Sequence, residues 1–240
     1  MDRKPVVYLL PGLLCDAAVW EHQAEALSAL FEVRIPDFRG NTSFRQMAHQ
    51  VLAEAPARFS VAGHSMGGRA AMELMHLAPE RIDGFVVMDM GVHPASEAEK
   101  EKRQVLIDLL EREGMEALAD AWIGPMLAPA RRNDSTLIAA IRAMVMRFTP
   151  QEYRNYIQAA LTRENQALYL PHIEHHVLLV CGADDGWSPV EQHEEMQKQL
   201  LHAELAIIPK AGHMVTMEEP EAVSTALLRW FASPEIGRMT

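Results

Sequence analysis

Basic residues are few in this sequence. Its 240 residues carry 22 Lys and Arg against 33 Asp and Glu, a formal net charge of −11. Nucleic acid and anionic membranes both bind through basic patches, so neither is an expected partner. Cysteine is scarcer still. Cys15 and Cys181 lie far apart in apolar surroundings, which predicts reduced thiols and no disulfide framework. Long apolar runs are missing too. No stretch approaches the roughly 20 residues of a membrane span, and the first apolar run is too short for the apolar part of a signal peptide. A cytoplasmic protein is the expectation. Metal-ligand spacing is also absent. His172, Glu174, His175 and His176 fit neither H-E-x-x-H nor a Cys/His set, so they read as a linker and no metal is expected.

What is present has ordinary globular composition, 49% hydrophobic and 23% charged, in a chain long enough for one domain with an insertion. Val6–Leu10 is apolar throughout, as a central parallel strand covered on both faces requires. Asp16 is placed to cap a helix whose Trp20, Ala24, Leu27 and Phe31 repeat at helical spacing, with Trp20 expected in the core. A strand over residues 31–35 follows, then a helix capped by Thr42 or Ser43, then a strand ending at Ala62. A helix over 69–77 and a strand over Ile82–Met88 continue the alternation. Strands alternating with helices predict a three-layer α/β sandwich around a mostly parallel, doubly wound sheet.

The rhythm breaks near residue 92. From 93 to 172 no strand is predicted. Amphipathic helical stretches stand there instead: Val105 with Leu106, Leu109 and Leu110; residues 118–123; Leu137 with Ile141 and Val145; and Tyr153 with Tyr156 and Ile157. Gly124-Pro125 and Thr149-Pro150 punctuate them. The domain reading is therefore a core of residues 1–92 and 173–240 with a helical cap, 93–172, inserted. Strands over 176–181 and 203–208, a helix from Ser188-Pro189 and a final helix from Pro220 complete the core. The tail from Ser233 reads as frayed.

Gly63-His64-Ser65-Met66-Gly67 fits G-x-S-x-G between a strand and a helix, the setting that gives the pattern meaning. A serine on such a strained turn points its hydroxyl out of the sheet, and the flanking glycines stand where strand and helix leave no room for a β-carbon. In an open α/β sheet, sites form beyond the carboxyl ends of the strands. Leu13 follows the first strand, Ser65 the third, Asp89 the fourth, Asp184 and Asp185 the fifth, and His213 the sixth. A serine, a carboxylate and a histidine therefore converge on one edge, in the chain order Ser, Asp, His.

The Leu10-Pro11-Gly12 turn, the elbow over 63–68, Gly182-Ala183-Asp184-Asp185 with Pro189, and Ala211-Gly212-His213 with Glu218 and Pro220 together resemble the α/β-hydrolase fold superfamily. The nearest branch is that of small carboxylesterases, carbon–carbon hydrolases and cofactor-free haloperoxidase-like esterases. The resemblance implies Ser65 as nucleophile, His213 as general base and Asp185 as the acid that orients it; Asp184 and Asp89 stay open as alternative acids. It implies backbone N–H donors to an oxyanion from Leu13 and Met66. Pro11-Gly12 stands where many relatives have His-Gly. The β-hairpin that opens many relatives is missing, which predicts six strands rather than eight.

Hydrolysis of a carboxylic ester through an acyl-enzyme on Ser65 is the expected function, with no cofactor and a small-molecule ester as partner. The cap reads as apolar and without a basic cluster, which suggests a small, mostly apolar acyl group. Trp187, Trp122 and Met214 are the expected substrate walls, and His64 is expected to pack against the elbow. Carbon–carbon, lactone and thioester hydrolysis use the same three residues, and a ligand receptor of this fold is the rival from another class. Oligomeric state stays open between monomer and homodimer.

Overall fold

Six short strands pair into one sheet in the computed structural model, which describes residues 4–233. They are β1 (Val6–Leu10), β2 (Glu32–Arg34), β3 (Phe59–His64), β4 (Ile82–Met88), β5 (His176–Gly182) and β6 (His202–Ile208). All neighbours pair parallel, in the order β2-β1-β3-β4-β5-β6. The inner strands β1 and β3 are buried at every residue, as a sheet covered on both faces demands. The edge strand β2 is shorter than residues 31–35, because only three of its residues find partners on β1.

The chain steps from β1 outward to β2 and returns to β3 on the other side of β1. With right-handed crossovers this reversal puts α1 (Glu21–Ser28) and α2 (Phe44–Glu54) on opposite faces. α2 packs beside α3 (Met66–Leu77), and α1 beside the final helix, α9 (Pro220–Phe231). A crevice opens between β1 and β3, where the winding reverses. The cap of α2 is Ser43, whose side chain accepts from the N–H of Gln46, as one of the two expected candidates.

Between β4 and β5, among the described residues, there are helices and no strand: α4 (Glu97–Met126), α5 (Ser135–Val145) and α6 (Pro150–Leu161). α4 breaks at Gly114, whose φ of 83° only glycine adopts without strain. That break separates the two amphipathic stretches expected there. Pro125 is no stop by itself, since α4 ends one residue later at Met126. Thr149 and Glu152 form a capping box around Pro150 at the first position of α6. The core then resumes with α7 (Val190–Gln199) and α8 (Val215–Glu218). No helix among the described residues is long and apolar enough to cross a membrane. The expected frayed tail beyond Ser233 lies outside the described residues.

Candidate active site

β3 ends at His64 and α3 begins at Met66, leaving Ser65 alone to make the turn. Its φ of 52° and ψ of −114° are strained for a residue with a side chain, a cost of about 1–3 kcal/mol. The surroundings enforce it. Ser65 N–H donates to Met88 O at 2.8 Å, so pairing with β4 runs on into the turn. A β-carbon on Gly63 would strike the carbonyl of Gly67, and one on Gly67 would strike the carbonyl of Leu10. Strand and helix are thus locked together with the serine hydroxyl at the sheet's edge.

Ser65 Oγ lies 2.8 Å from His213 Nε2, and His213 Nδ1 lies 2.8 Å from Asp185 Oδ2. The other carboxylate oxygen, Oδ1, accepts the N–H groups of Trp187 (2.8 Å) and Ser188 (2.9 Å). Burial works against the Asp185 charge, but His213 and those two N–H donors hold its carboxyl below the usual range. Ser65, His213 and Asp185 are therefore brought together from the ends of three different strands.

The two alternative acids stand elsewhere. Asp184 is exposed, and among the described residues its carboxylate makes no hydrogen bond or ion pair. Asp89 is fully buried and reaches across to β5, its Oδ1 accepting from Gly182 N–H at 2.9 Å. Burial, with the Asp185 charge beside it, pushes its carboxyl well above the usual range, and its bond to Gly182 splices two strand ends. His64 Nε2–H donates to His213 O at 2.6 Å, and its ring meets Trp20 edge-on. Burial lowers its pKa to about 4, leaving it neutral, a strut against the elbow.

Glu218 does more than its place in the motif suggested. It is fully buried, and its Oε1 accepts from Gly212 N–H (2.9 Å) and Met214 N–H (3.1 Å), on either side of His213. Its Oε2 accepts from Ala128 N–H at 2.8 Å, and His213 N–H donates to Met126 O at 2.8 Å. The histidine loop is therefore clamped between a buried carboxylate and the end of α4.

A cavity of about 300 Å³ opens over Ser65 and His213. Leu13 and Met66 line it, and Met66 is the first residue of α3, where a helix leaves its N–H groups without intrahelical acceptors. Trp122 and Trp187, the expected substrate walls, also line it. Met214 does not. It is fully buried in the core cluster, held by the Glu218 clamp and outside the cavity lining. The expectation of no basic cluster fails as well, because Arg69, Lys102, Arg103 and Arg163 all face this cavity. They come from α3, from α4 and from just beyond α6, so no sequence window holds them together. Arg69 was the legible one, a single helical turn after Ser65 and hence on its face of α3.

Among the described residues, one group has metal-ligand geometry: Asp89, Cys181 and Asp185, with donor atoms within 4.8 Å of one another. Burial pushes both the Cys181 thiol and the Asp89 carboxyl upward. Ligation needs both deprotonated, so the donor set suits packing better than a cation.

Residues 7–226 match the profile of the alpha/beta hydrolase family. The chain is 25% identical over 234 residues to the pimeloyl-[acyl-carrier protein] methyl ester esterase of Nitrosomonas europaea, covering 90% of this chain and 92% of that one. Among solved structures, a thermophilic esterase from Thermogutta terrifontis superposes with a TM-score of 0.84 at 25% identity, covering 96% of this chain and 90% of its own. The enol-lactonase of Burkholderia xenovorans LB400 superposes with a TM-score of 0.87 at 22% identity over 97% of this chain and 93% of its own, a likeness of fold. With its strand order, its elbow and these matches over nearly the whole length, the chain belongs to the alpha/beta hydrolase family.

Proposed function

We propose that the protein is a serine hydrolase that cleaves carboxylic esters through an acyl-enzyme on Ser65. The observation that carries this reading is the unbroken chain from Ser65 Oγ through His213 to Asp185, 2.8 Å at each step, opening on a cavity. A serine hydroxyl is a poor nucleophile until an adjacent base takes its proton. His213 Nε2 takes it as Oγ attacks the ester carbonyl, and Asp185 holds the imidazole in the tautomer that can accept. The N–H groups of Leu13 and Met66 receive the developing oxyanion; each such donor is worth about 10²–10³ in rate. His213 then protonates the departing alcohol, and water, deprotonated by the same nitrogen, releases the acid.

In this reading residues 93–172 act as a cap over the core of 1–92 and 173–240, and Trp122, Trp187 and Met126 give the cavity its apolar wall. The relative from Nitrosomonas europaea is named for methyl ester cleavage, the same class of bond. The buried free thiols of Cys15 and Cys181 suit a reducing cytoplasmic setting.

The test is hydrolysis of p-nitrophenyl esters of graded chain length by wild type and Ser65→Ala. The expected loss in kcat is about 10⁴-fold or more, with KM little changed. A wild type no faster than buffer, or a variant with full activity, overturns the reading.

A further inference from the structure

Acidic overall, the protein gathers four cationic side chains in the cavity beside Ser65. Arg69, Lys102, Arg103 and Arg163 line that cavity. Of the carboxylates in its lining, Glu99 is held ionised, while burial pushes the Asp89 carboxyl well above the usual range. Glu99 is already engaged. Its Oε1 accepts from Arg103 Nε (2.9 Å) and Arg163 Nη1 (2.9 Å), and its Oε2 from Arg163 Nη2 (2.5 Å). Burial opposes its charge, yet the two guanidinium groups hold its pKa at about 2.

Arg163 is almost fully engaged, four of its five N–H donors being used. Two of these go to His93 O (2.9 Å) and Ala160 O (2.6 Å), and its side chain is 2% exposed. Arg69 differs. It is nearly as buried, yet among the described residues its guanidinium makes a single hydrogen bond, Nη1 to His93 O at 3.2 Å. Nε and Nη2 have no protein acceptor. Burial, with the Arg163 charge next to it, pulls its pKa down to about 9, the mark of a cation short of an anion. A buried arginine kept for packing alone would be paired, as Arg163 is.

The position of the open guanidinium gives the missing anion a role. Arg69 lies one turn beyond Ser65 on α3, its N–H donating to Ser65 O at 3.2 Å. Across the cavity, the Arg103 guanidinium lies 5.7 Å over the ring of Trp187, and that ring stands 6.4 Å from His213. The cations thus begin where the proposed reacting atoms end. A planar guanidinium with free adjacent donors matches a carboxylate by two parallel hydrogen bonds.

We propose that the cavity takes esters whose acyl group carries a second, free carboxylate, held by Arg69 with Arg103 and Lys102 beside it: monoesters of short dicarboxylic acids. This deepens the ester-hydrolase reading and rests on it. Apolar residues such as Met90 and Met126 face the methylenes, and the cation cluster takes the charged end.

The experiment compares kcat/KM for monomethyl glutarate and neutral dimethyl glutarate, each on the same preparation, so that incomplete folding cancels in the ratio. Wild type favours the monoanion by tenfold or more. Arg69→Met lowers that ratio by about 10- to 100-fold, the loss of one charge-assisted pair, and Arg69→Lys falls between them. Titration calorimetry with glutarate gives an independent reading: wild type binds it, and Arg69→Met binds at least tenfold more weakly. A wild type that prefers the neutral diester, a ratio that Arg69→Met leaves unchanged, or equal glutarate binding by both proteins overturns the proposal. Glutarate binding that depends on Arg69, with no turnover of either ester, supports the anion site and overturns the ester-hydrolase reading instead.

Discussion

The two ends of the cavity are built on different principles. At the sheet's edge, Ser65, Asp185 and His213 follow β3, β5 and β6, strands of one parallel sheet. Backbone groups fix them: Met88 O on the elbow, two N–H groups on Asp185, and the Glu218 clamp around His213. At the other end, Arg103 of α4 and Arg163 just beyond α6 are held by ion pairs to Glu99, and Arg69 of α3 stands beside them with one hydrogen bond, to His93 O. The first arrangement cannot move without unpairing strands. The second can be rewritten one side chain at a time, which is how one reaction geometry serves many substrates.

Substitutions at the sheet edge test whether backbone fixing is what that end depends on. The largest contrast is between neighbours. Asp185→Asn should lower kcat by about 10³–10⁴, because the asparagine stabilises the wrong tautomer of His213, whereas Asp184→Asn, exposed and unpaired, should stay within about twofold. Equal losses in the two variants would break the assignment of the acid. Next comes the clamp. Glu218→Gln keeps the size but can no longer accept from Ala128, Gly212 and Met214 without placing an amide among N–H donors. A fall in kcat of about 10- to 100-fold with KM nearly constant is expected, since His213 is displaced without losing substrate contacts. A change confined to thermal stability would make Glu218 merely structural.

The smallest effect sharpens the other side of the comparison. Glu99 has its pKa depressed to about 2 by Arg163 and Arg103 against the cost of burial. A depressed carboxylate contributes stability above its ordinary range, and that contribution is lost as pH falls through the folded value. Glu99→Gln should therefore lower stability by about 1–3 kcal/mol above roughly pH 5, with the gap to wild type closing as pH approaches about 2. Thermal unfolding across that range checks it. A gap that stays constant would mean that charge is not what Glu99 contributes.

Much of this was legible in the residues. Val6–Leu10 is apolar on both faces, so its burial in a covered sheet follows from period alone. The strand-end rule located Ser65, Asp185 and His213 because each sits just past an apolar run. Leu13, read as an oxyanion donor, and Trp122 and Trp187, read as substrate walls, line the cavity. Met214 was misplaced because proximity to His213 along the chain says nothing about which side of the loop is buried. The Glu218 clamp was half visible, as a residue at fixed distance from Gly212-His213, but its third contact, Ala128, is 90 residues away.

The sequence by itself determined the alternation of strands and helices, the elbow and the order of the three residues along the chain. Those follow from hydrophobic period, turn chemistry and strand ends, all of which act within a few residues. The tertiary structure decided the electrostatics of the cavity. Three cations from residues 93–172, Lys102, Arg103 and Arg163, meet Arg69 of α3 around one cavity, and among the described residues neither Arg69 nor Lys102 has a carboxylate partner, because helix packing brings them together from positions that share no local pattern. Charges are counted along a chain but act across a cavity, and only the fold says which of them meet.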